Sequence, residues 1–171
     1  MSEAGTEPEA ETEPETPARE TPTSITETRA RAIPDRLVFD TEPLIAHATS
    51  EPGKSVVDTY LDAVRDGDMS GFINQVNLTE TRYVIGRESG RDIADRYISW
   101  VFDIGVRPVG IDEIWAEAAD YLLEHNPALG DSFALATADY IDASLLIGGD
   151  DDYGTVTEVQ LIRFRDGASD G

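Results

Sequence analysis

Carboxylates are the reactive groups that this sequence offers. It contains no Cys, which removes thiol nucleophiles, disulfides and thiolate zinc sites together. Its only imidazoles are His47 and His125; neither falls within an acidic cluster of the sequence, and both read as ordinary surface or helix-end residues. Asp and Glu number 35 among 171 residues, and at four places an acid falls where the local pattern changes. Asp40 closes the apolar run in RLVFDTEPLI, and Glu80 sits in NLTETRYVIG. Asp131 follows Gly130 ahead of an Ala-rich stretch, and Asp150, Asp151 and Asp152 follow SLLIGG. Carboxylates brought together by a fold repel one another, which raises their pKa values unless a hard cation neutralises them. Mg²⁺ or Mn²⁺, which takes oxygen ligands and keeps several waters, suits such a group.

Each acid also has a purely structural explanation. Asp40 with Thr41 could cap a following helical turn, and Asp131 after Gly130 is an apt N-cap. Glu80 lies three residues after Asn77, the spacing of a capping box. Asp150 to Asp152, in a chain this acidic, could be a solvated turn. Taken singly the four places leave these alternatives open; the set gains weight from the elements that must position it.

Those elements alternate. Leu37 to Asp40, stopped by the acid and Pro43, reads as a buried strand that delivers Asp40 at its carboxyl end. Val56, Val57, Tyr60, Leu61 and Val64 recur at helical spacing until Gly67 closes the pattern. Gly71 to Ile73 reads as a strand, NLTETRYVIGRESG as a helix, and Arg91 to about Ile104 as another. Val106 to Ile111 is strand-like, IDEIWAEAADYLLEH is an amphipathic helix capped at Asp112, and a further helix starts near Asp131. Leu145 to Ile147 is a buried strand, and VTEVQLIRF alternates as a strand does. This order predicts an α/β three-layer sandwich with a mainly parallel central sheet. Sites in such sheets gather at the carboxyl ends of the strands. Asp40 and Asp150 to Asp152 belong there, and Glu80 and Asp131, read as lying at helix beginnings, open onto the same edge.

Residues 1–34 differ from the rest. Glu, Pro and Thr dominate, aromatic residues are absent, and Pro8, Pro14, Pro17 and Pro22 break any helix. The segment reads as a disordered acidic extension ahead of one domain, residues 35–171. No apolar run approaches the ~18 residues of a membrane span and no secretory signal is readable, so the expected location is the cytoplasm. The net charge is −22, and from Asp35 onward 27 acids face 10 bases. Self-repulsion of that size is screened over about 3 Å at molar salt, which predicts a halophilic source.

In four places, LVFDTEPLI, NLTETRYVIG, LGDSFALATA and LLIGGDDDYG, the chain resembles the PIN-domain nucleases, over about Leu37 to Phe164. In that family a buried strand ends in Asp-Thr or Asp-Ser and a helix carries an acid midway. Another helix begins with Asp before an Ala-rich run, and a strand ends in an acidic turn followed by an aromatic residue. Carried over position by position, the resemblance implies catalytic acids at Asp40, Glu80, Asp131 and Asp150. It implies metal ligands among Asp40, Asp131, Asp150 and Asp152, with Mg²⁺ or Mn²⁺ as the cofactor. Gly148-Gly149 stands where the family often has Thr or Ser, so the choice between Asp150 and Asp152 stays open. Size and the lack of further domains look most like VapC-type toxins. That likeness implies an endoribonuclease with an RNA substrate, a silencing antitoxin partner and a homodimer. Acidified water on the cation could then attack a phosphodiester in line, with no Ser, Cys or His nucleophile.

An RNA substrate for so acidic a chain calls for local positive charge. Arg82, Arg87, Arg91 and Arg96 follow Glu80 closely, and Arg82 and Arg87 are the expected phosphate contacts; the alternative makes them salt-bridge partners on acidic helices. A phosphoacceptor receiver or phosphatase would need a Lys on a late strand, whereas the single Lys is Lys54, in an early loop. A non-catalytic acidic interaction protein on a PIN-like fold is the other reading that the sequence allows.

Overall fold

The structure, a computed structural model, describes residues 1, 32–149 and 153–165. Most of the acidic extension and Asp150 to Asp152 lie outside the described residues. The chain divides into two units, residues 1–31 and 32–171, and the fold described is that of the second.

Its elements run β1 (Arg36–Phe39), α1 (Thr41–Thr49), α2 (Lys54–Asp66), β2 (Ser70–Asn74), α3 (Gln75–Ser89) and α4 (Arg91–Asp103). They continue with β3 (Arg107–Val109), α5 (Trp115–His125), α6 (Leu129–Tyr140), β4 (Ser144–Ile147) and β5 (Leu161–Arg163). The sheet has the order β3-β2-β1-β4-β5 with every pairing parallel. Val38 of the central strand sits between Phe72 and Leu145. A parallel sheet is covered on both faces, so its central strands must be apolar throughout. Leu37 to Phe39 and all of β4 are accordingly buried.

Side-chain alternation sorts the strands between two cores. Leu37, Phe39 and Leu146 face Leu44 of α1, Tyr60 and Leu61 of α2 and Val101 of α4. Val38, Leu145 and Ile147 face Ala118 and Tyr121 of α5 and Ala134, Leu135 and Ala138 of α6. Helices on both faces of a parallel sheet form the three-layer α/β sandwich that the alternation predicts. Gly71 permits the close approach of α2, since a Cβ there would stand 2.7 Å from Val64 Cγ2 and 3.2 Å from Phe39.

Several boundaries differ from the sequence reading. Pro43 does not stop an element; it lies in the first turn of α1, where a backbone N–H has no intrahelical partner to lose. Asp112 does not cap α5, because residues 111–114 form a turn in which the N–H groups of Ile114 and Trp115 both reach Ile111 O. Helix α6 starts at Leu129 after an extended Ala128, so Asp131 is inside the first turn and not at its cap. Asn74 caps α3 directly as β2 ends, accepting from Val76 N–H at 2.8 Å, which places Glu80 in the second turn. The alternation of VTEVQLIRF is realised as strand only from Leu161 to Arg163. No helix among the described residues is long and apolar enough to cross a membrane.

Because, among the described residues, every strand and both cores lie between residues 36 and 164, a chain beginning at Ile33 is expected to melt in one cooperative transition. A broad, non-cooperative thermal profile for that chain, followed by circular dichroism, would contradict this.

Candidate active site

Asp40 is built by the exit of the central strand. Its backbone N–H continues the ladder to Leu146 O at 3.0 Å, and its extended φ/ψ of −73°/173° hands the chain to α1 at the next residue. The side chain makes no capping bond to its own helix and is 5% exposed. Two side chains from distant elements hold it instead. Asn77 Nδ2 donates to Asp40 Oδ1 at 2.9 Å, and the Tyr153 hydroxyl donates to Oδ2 at 3.2 Å.

Helix α3 supplies the neighbouring wall. Asn77 and Glu80, at i and i+3, share one face. Besides Asp40, Asn77 Nδ2 reaches Gly130 O at 3.1 Å and Thr41 Oγ1 at 3.3 Å, tying together the starts of α1 and α6. The Thr41 hydroxyl in turn donates to Glu80 Oε2 at 2.9 Å. A Cβ on Gly130 would stand 3.0 Å from that same Glu80 oxygen, so the missing side chain lets the first turn of α6 close on the carboxylate. Asp131 follows in that first turn, where the helix amides favour negative charge, and Tyr153 shares its hydroxyl between Asp131 and Asp40.

The result is an electrostatically strained group. Burial, then the charge of Asp131, with a smaller push from Glu80, raises the Asp40 carboxyl to about 7; the Thr41 N–H and the Tyr153 hydroxyl oppose the shift without cancelling it. Tyr153 is pushed well above the ordinary phenol range by burial and then by the charges of Asp40 and Asp131. It therefore stays protonated and acts as a donor.

Of the acids expected from the sequence, Asp40, Glu80 and Asp131 are thus brought to one place; Asn74, and not an Asn77–Glu80 box, caps α3, and α6 begins after Ala128 without a side-chain cap, so Asp131 does not cap it. Asp150 and Asp152 lie outside the described residues. Arg82 pairs with Asp95 at 2.7 Å, joining α3 to α4, and Arg87 lies over the Tyr83 ring at 5.7 Å. An open, largely apolar groove of about 470 Å³, lined by Val76, Thr79, Glu80, Tyr83, Leu129 and Gly130, adjoins the acids. A slightly larger cleft of about 520 Å³ opens near Asp35, Ser144 and Gln160, where the strands begin, and holds none of these acids. His47 is a helix-end residue in the last turn of α1, half-buried, where its ring stacks on Trp100 at 5.1 Å and contacts Tyr97 OH and Asp58. Thr41, Asn77 and Tyr153 are not among the site residues expected from the sequence; the signals for them are the Asp-Thr pair that ends the first strand, the helical spacing of Asn77 from Glu80, and the aromatic position after the acidic turn.

The sequence profile of the PIN domain matches residues 37–159. Comparison with curated proteins finds no match. Among solved structures, the fold is similar to VapBC2 from Rickettsia felis, bound in that structure to a promoter DNA fragment. The TM-score is 0.59 at 11% identity, covering 75% of this chain and 98% of the other. A toxin–antitoxin complex from Klebsiella pneumoniae aligns at TM-score 0.56 and 17% identity, covering 72% and 94%. VapC20 of Mycobacterium tuberculosis, described as a toxin that cleaves the sarcin-ricin loop, aligns at 0.55 and 14%, covering 72% and 98%. At such identities these likenesses speak to the fold.

The raised Asp40 pKa has a stability consequence. The folded protein keeps this proton up to about pH 7, whereas the unfolded chain releases it near 3.8. Between those values the native state binds more protons, so its stability falls as pH rises through that window and levels above it. In EDTA, Asp40→Asn is expected to abolish this component of the slope and to exceed the wild type at pH 8 by on the order of a few kcal/mol. Urea melts at pH 4 and pH 8 check it; an unchanged difference between the two proteins at both pH values would contradict it.

Proposed function

Since the chain belongs to the PIN-domain family of nucleases, we propose that it is a divalent-metal-dependent endoribonuclease of toxin type, restrained by a protein antitoxin. The observation that carries this reading is the meeting of Asp40, Glu80 and Asp131 at the carboxyl edge of the sheet, with Asp40 buried against the other acids. Such a donor set fits Mg²⁺ or Mn²⁺, because oxygen ligands of high negative charge are what a hard cation requires and its charge relieves their repulsion. Asp40 and Asp131 would hold the ion, with Asp150 or Asp152 completing the set and Glu80 as a further catalytic acid. When bound, the cation supplies Lewis acidity toward phosphoryl oxygens and water of lowered pKa.

The chain's own residues prepare that site. Asn77 fixes the Asp40 carboxylate relative to Gly130, and so relative to α6. Thr41 fixes Glu80. Tyr153 keeps its proton and donates to Asp40 beside Asp131. RNA would enter along α3. Arg82 and Arg87 are the proposed phosphate contacts, and the exposed Arg82–Asp95 pair, worth about 0–1 kcal/mol, is readily exchanged for phosphate. Tyr83, 60% exposed beside Glu80, offers a ring on which a base can stack. The toxin and antitoxin assignments draw on the solved structures of similar fold described as a toxin–antitoxin complex and as a toxin. A homodimer, a salt-rich cytoplasm and a solvated role for residues 1–34 belong to the same proposal, the last two supported by the charge of −22.

The test is cleavage of a labelled single-stranded RNA pool in molar KCl with Mg²⁺ or Mn²⁺. Asp40→Asn and Asp131→Asn are expected to fold and to lose roughly a hundredfold or more in rate. Cleavage that persists in either variant, or in EDTA, would refute the mechanism. Tyr83→Ala is expected to raise KM about tenfold with kcat little changed, the pattern of a lost stacking contact; an equal fall in kcat would contradict that role.

A further inference from the structure

We propose that the protein carries a second metal site, formed by Glu124, His125 and Glu158 and suited to a zinc-class divalent cation. One ligand atom from each of the three lies within 4.8 Å of the others. His125 ends α5, whereas Glu158 lies in the β4–β5 connection, three residues before β5. The fold therefore closes a gap of 33 positions that hides the cluster in the sequence, where His125 reads as an isolated helix-end residue.

The imidazole is what distinguishes this cluster from an ordinary acidic surface. Its side chain is 10% exposed, and its Nε2 is buried without a hydrogen-bond partner. Nε2 faces Glu158 Oε1 at 3.7 Å and Glu124 Oε2 at 3.9 Å. Those separations exceed the ~2.7–3.2 Å of a hydrogen bond. They approach the roughly 3.4 Å that separates two ligands around a tetrahedral ion with bonds of about 2.0–2.1 Å. The other ring nitrogen, Nδ1, lies 2.9 Å from Thr155 Oγ1. When Nδ1–H donates to that hydroxyl, Nε2 presents a lone pair to two carboxylates, an arrangement that repels until a cation lies between them. A partner on the other ring nitrogen is the usual outer support of a ligating His, and the Thr155 hydroxyl, able to accept, accommodates the Nδ1–H tautomer that ligation by Nε2 requires.

The carboxylates are placed to complement it. Glu158 Oε2 accepts the Thr157 N–H at 2.8 Å, which leaves Oε1 turned toward His125. Glu124 and Glu158 are both solvent-accessible, so an ion can enter and water can take the fourth position. One nitrogen with two carboxylate oxygens favours Zn²⁺, Co²⁺ or Ni²⁺ over Mg²⁺. Thr155 and Glu158 share a segment with Tyr153, so an ion here would clamp the stretch that holds Asp40 against α5.

The experiment titrates chelator-stripped full-length protein with Zn²⁺ alone by calorimetry, in an Asp40→Asn/Asp131→Asn background so that the first acidic site does not contribute. One saturable equivalent is expected, unaffected by millimolar Mg²⁺ and weakened tenfold or more by His125→Gln. Bound Zn²⁺ should also shift the His125 Nε2 resonance in ¹⁵N NMR. Glu158→Gln, at an exposed position, gives the same expected loss should His125→Gln fail to fold. No saturable binding in the parent, or undiminished affinity in a folded ligand variant, would overturn the proposal and leave His125 as an ion-pair partner of the two acids. Because the background lacks Asp40 and Asp131, either result is independent of the nuclease reading.

Discussion

A buried carboxylate at the end of the central strand is the constraint around which this domain is arranged. Asp40 is carried into the interior by the same ladder bond that pairs β1 with β4, and it arrives beside Asp131 and Glu80. Burying charge next to like charge is unfavourable, and the fold offsets part of the cost with donors aimed at each Asp40 oxygen. Those donors come from α3 and from the segment after β4, so keeping Asp40 in place requires both to converge on the end of β1. What the donors leave uncompensated is the proton that Asp40 retains up to about pH 7, and this is the part that a cation would displace.

The surrounding packing follows from this convergence. A Cβ on Gly130 would crowd the Glu80 carboxylate, and one on Gly148 would overlap the Glu42 carboxylate. Glu42 is itself held by Arg165, which also binds Glu51 at 2.8 Å and lies over the Phe164 ring. At the glycine pair that departs from the hydroxyl-bearing family pattern, a side chain on Gly148 would require the Glu42 carboxylate to move aside, whereas one on Gly149 would meet only Arg165 Cβ at 3.7 Å. Small residues on α6, with Ala134, Ala136 and Ala138 all buried, let that helix lie close to the sheet and bring Asp131 to the strand ends.

Much of this was legible in the sequence because it is written in local patterns. LVFD reads as a buried strand with an acid at its end, SLLI as another, and Asp131 precedes an apolar run that reads as a helix; together these predict a mainly parallel sheet and the edge at which acids meet. What was not legible depends on contacts through space. Nothing local marks Asn77 as the donor that joins Asp40 to Gly130, nor Tyr153 as the donor between two acids. Pro43 misled because a proline that ends a strand and one that opens a helix look alike in sequence. Asn77–Glu80 looked like a capping box because its spacing is the same as that of two residues on one helical face, and only the cap at Asn74 separates the two meanings.

The central claim is that Asp40, Glu80 and Asp131 form a site for a hard divalent cation. Crystals soaked in Mn²⁺ at pH 8, above the Asp40 pKa, and measured for Mn²⁺ anomalous scattering test it most directly. The account predicts a peak bonded to the Asp40 and Asp131 carboxylates, at reduced occupancy when the soak is repeated at pH 5.5 because the proton then competes for Asp40. A map with no peak between these carboxylates at pH 8, or with Mn²⁺ only on other surface acids, would contradict it.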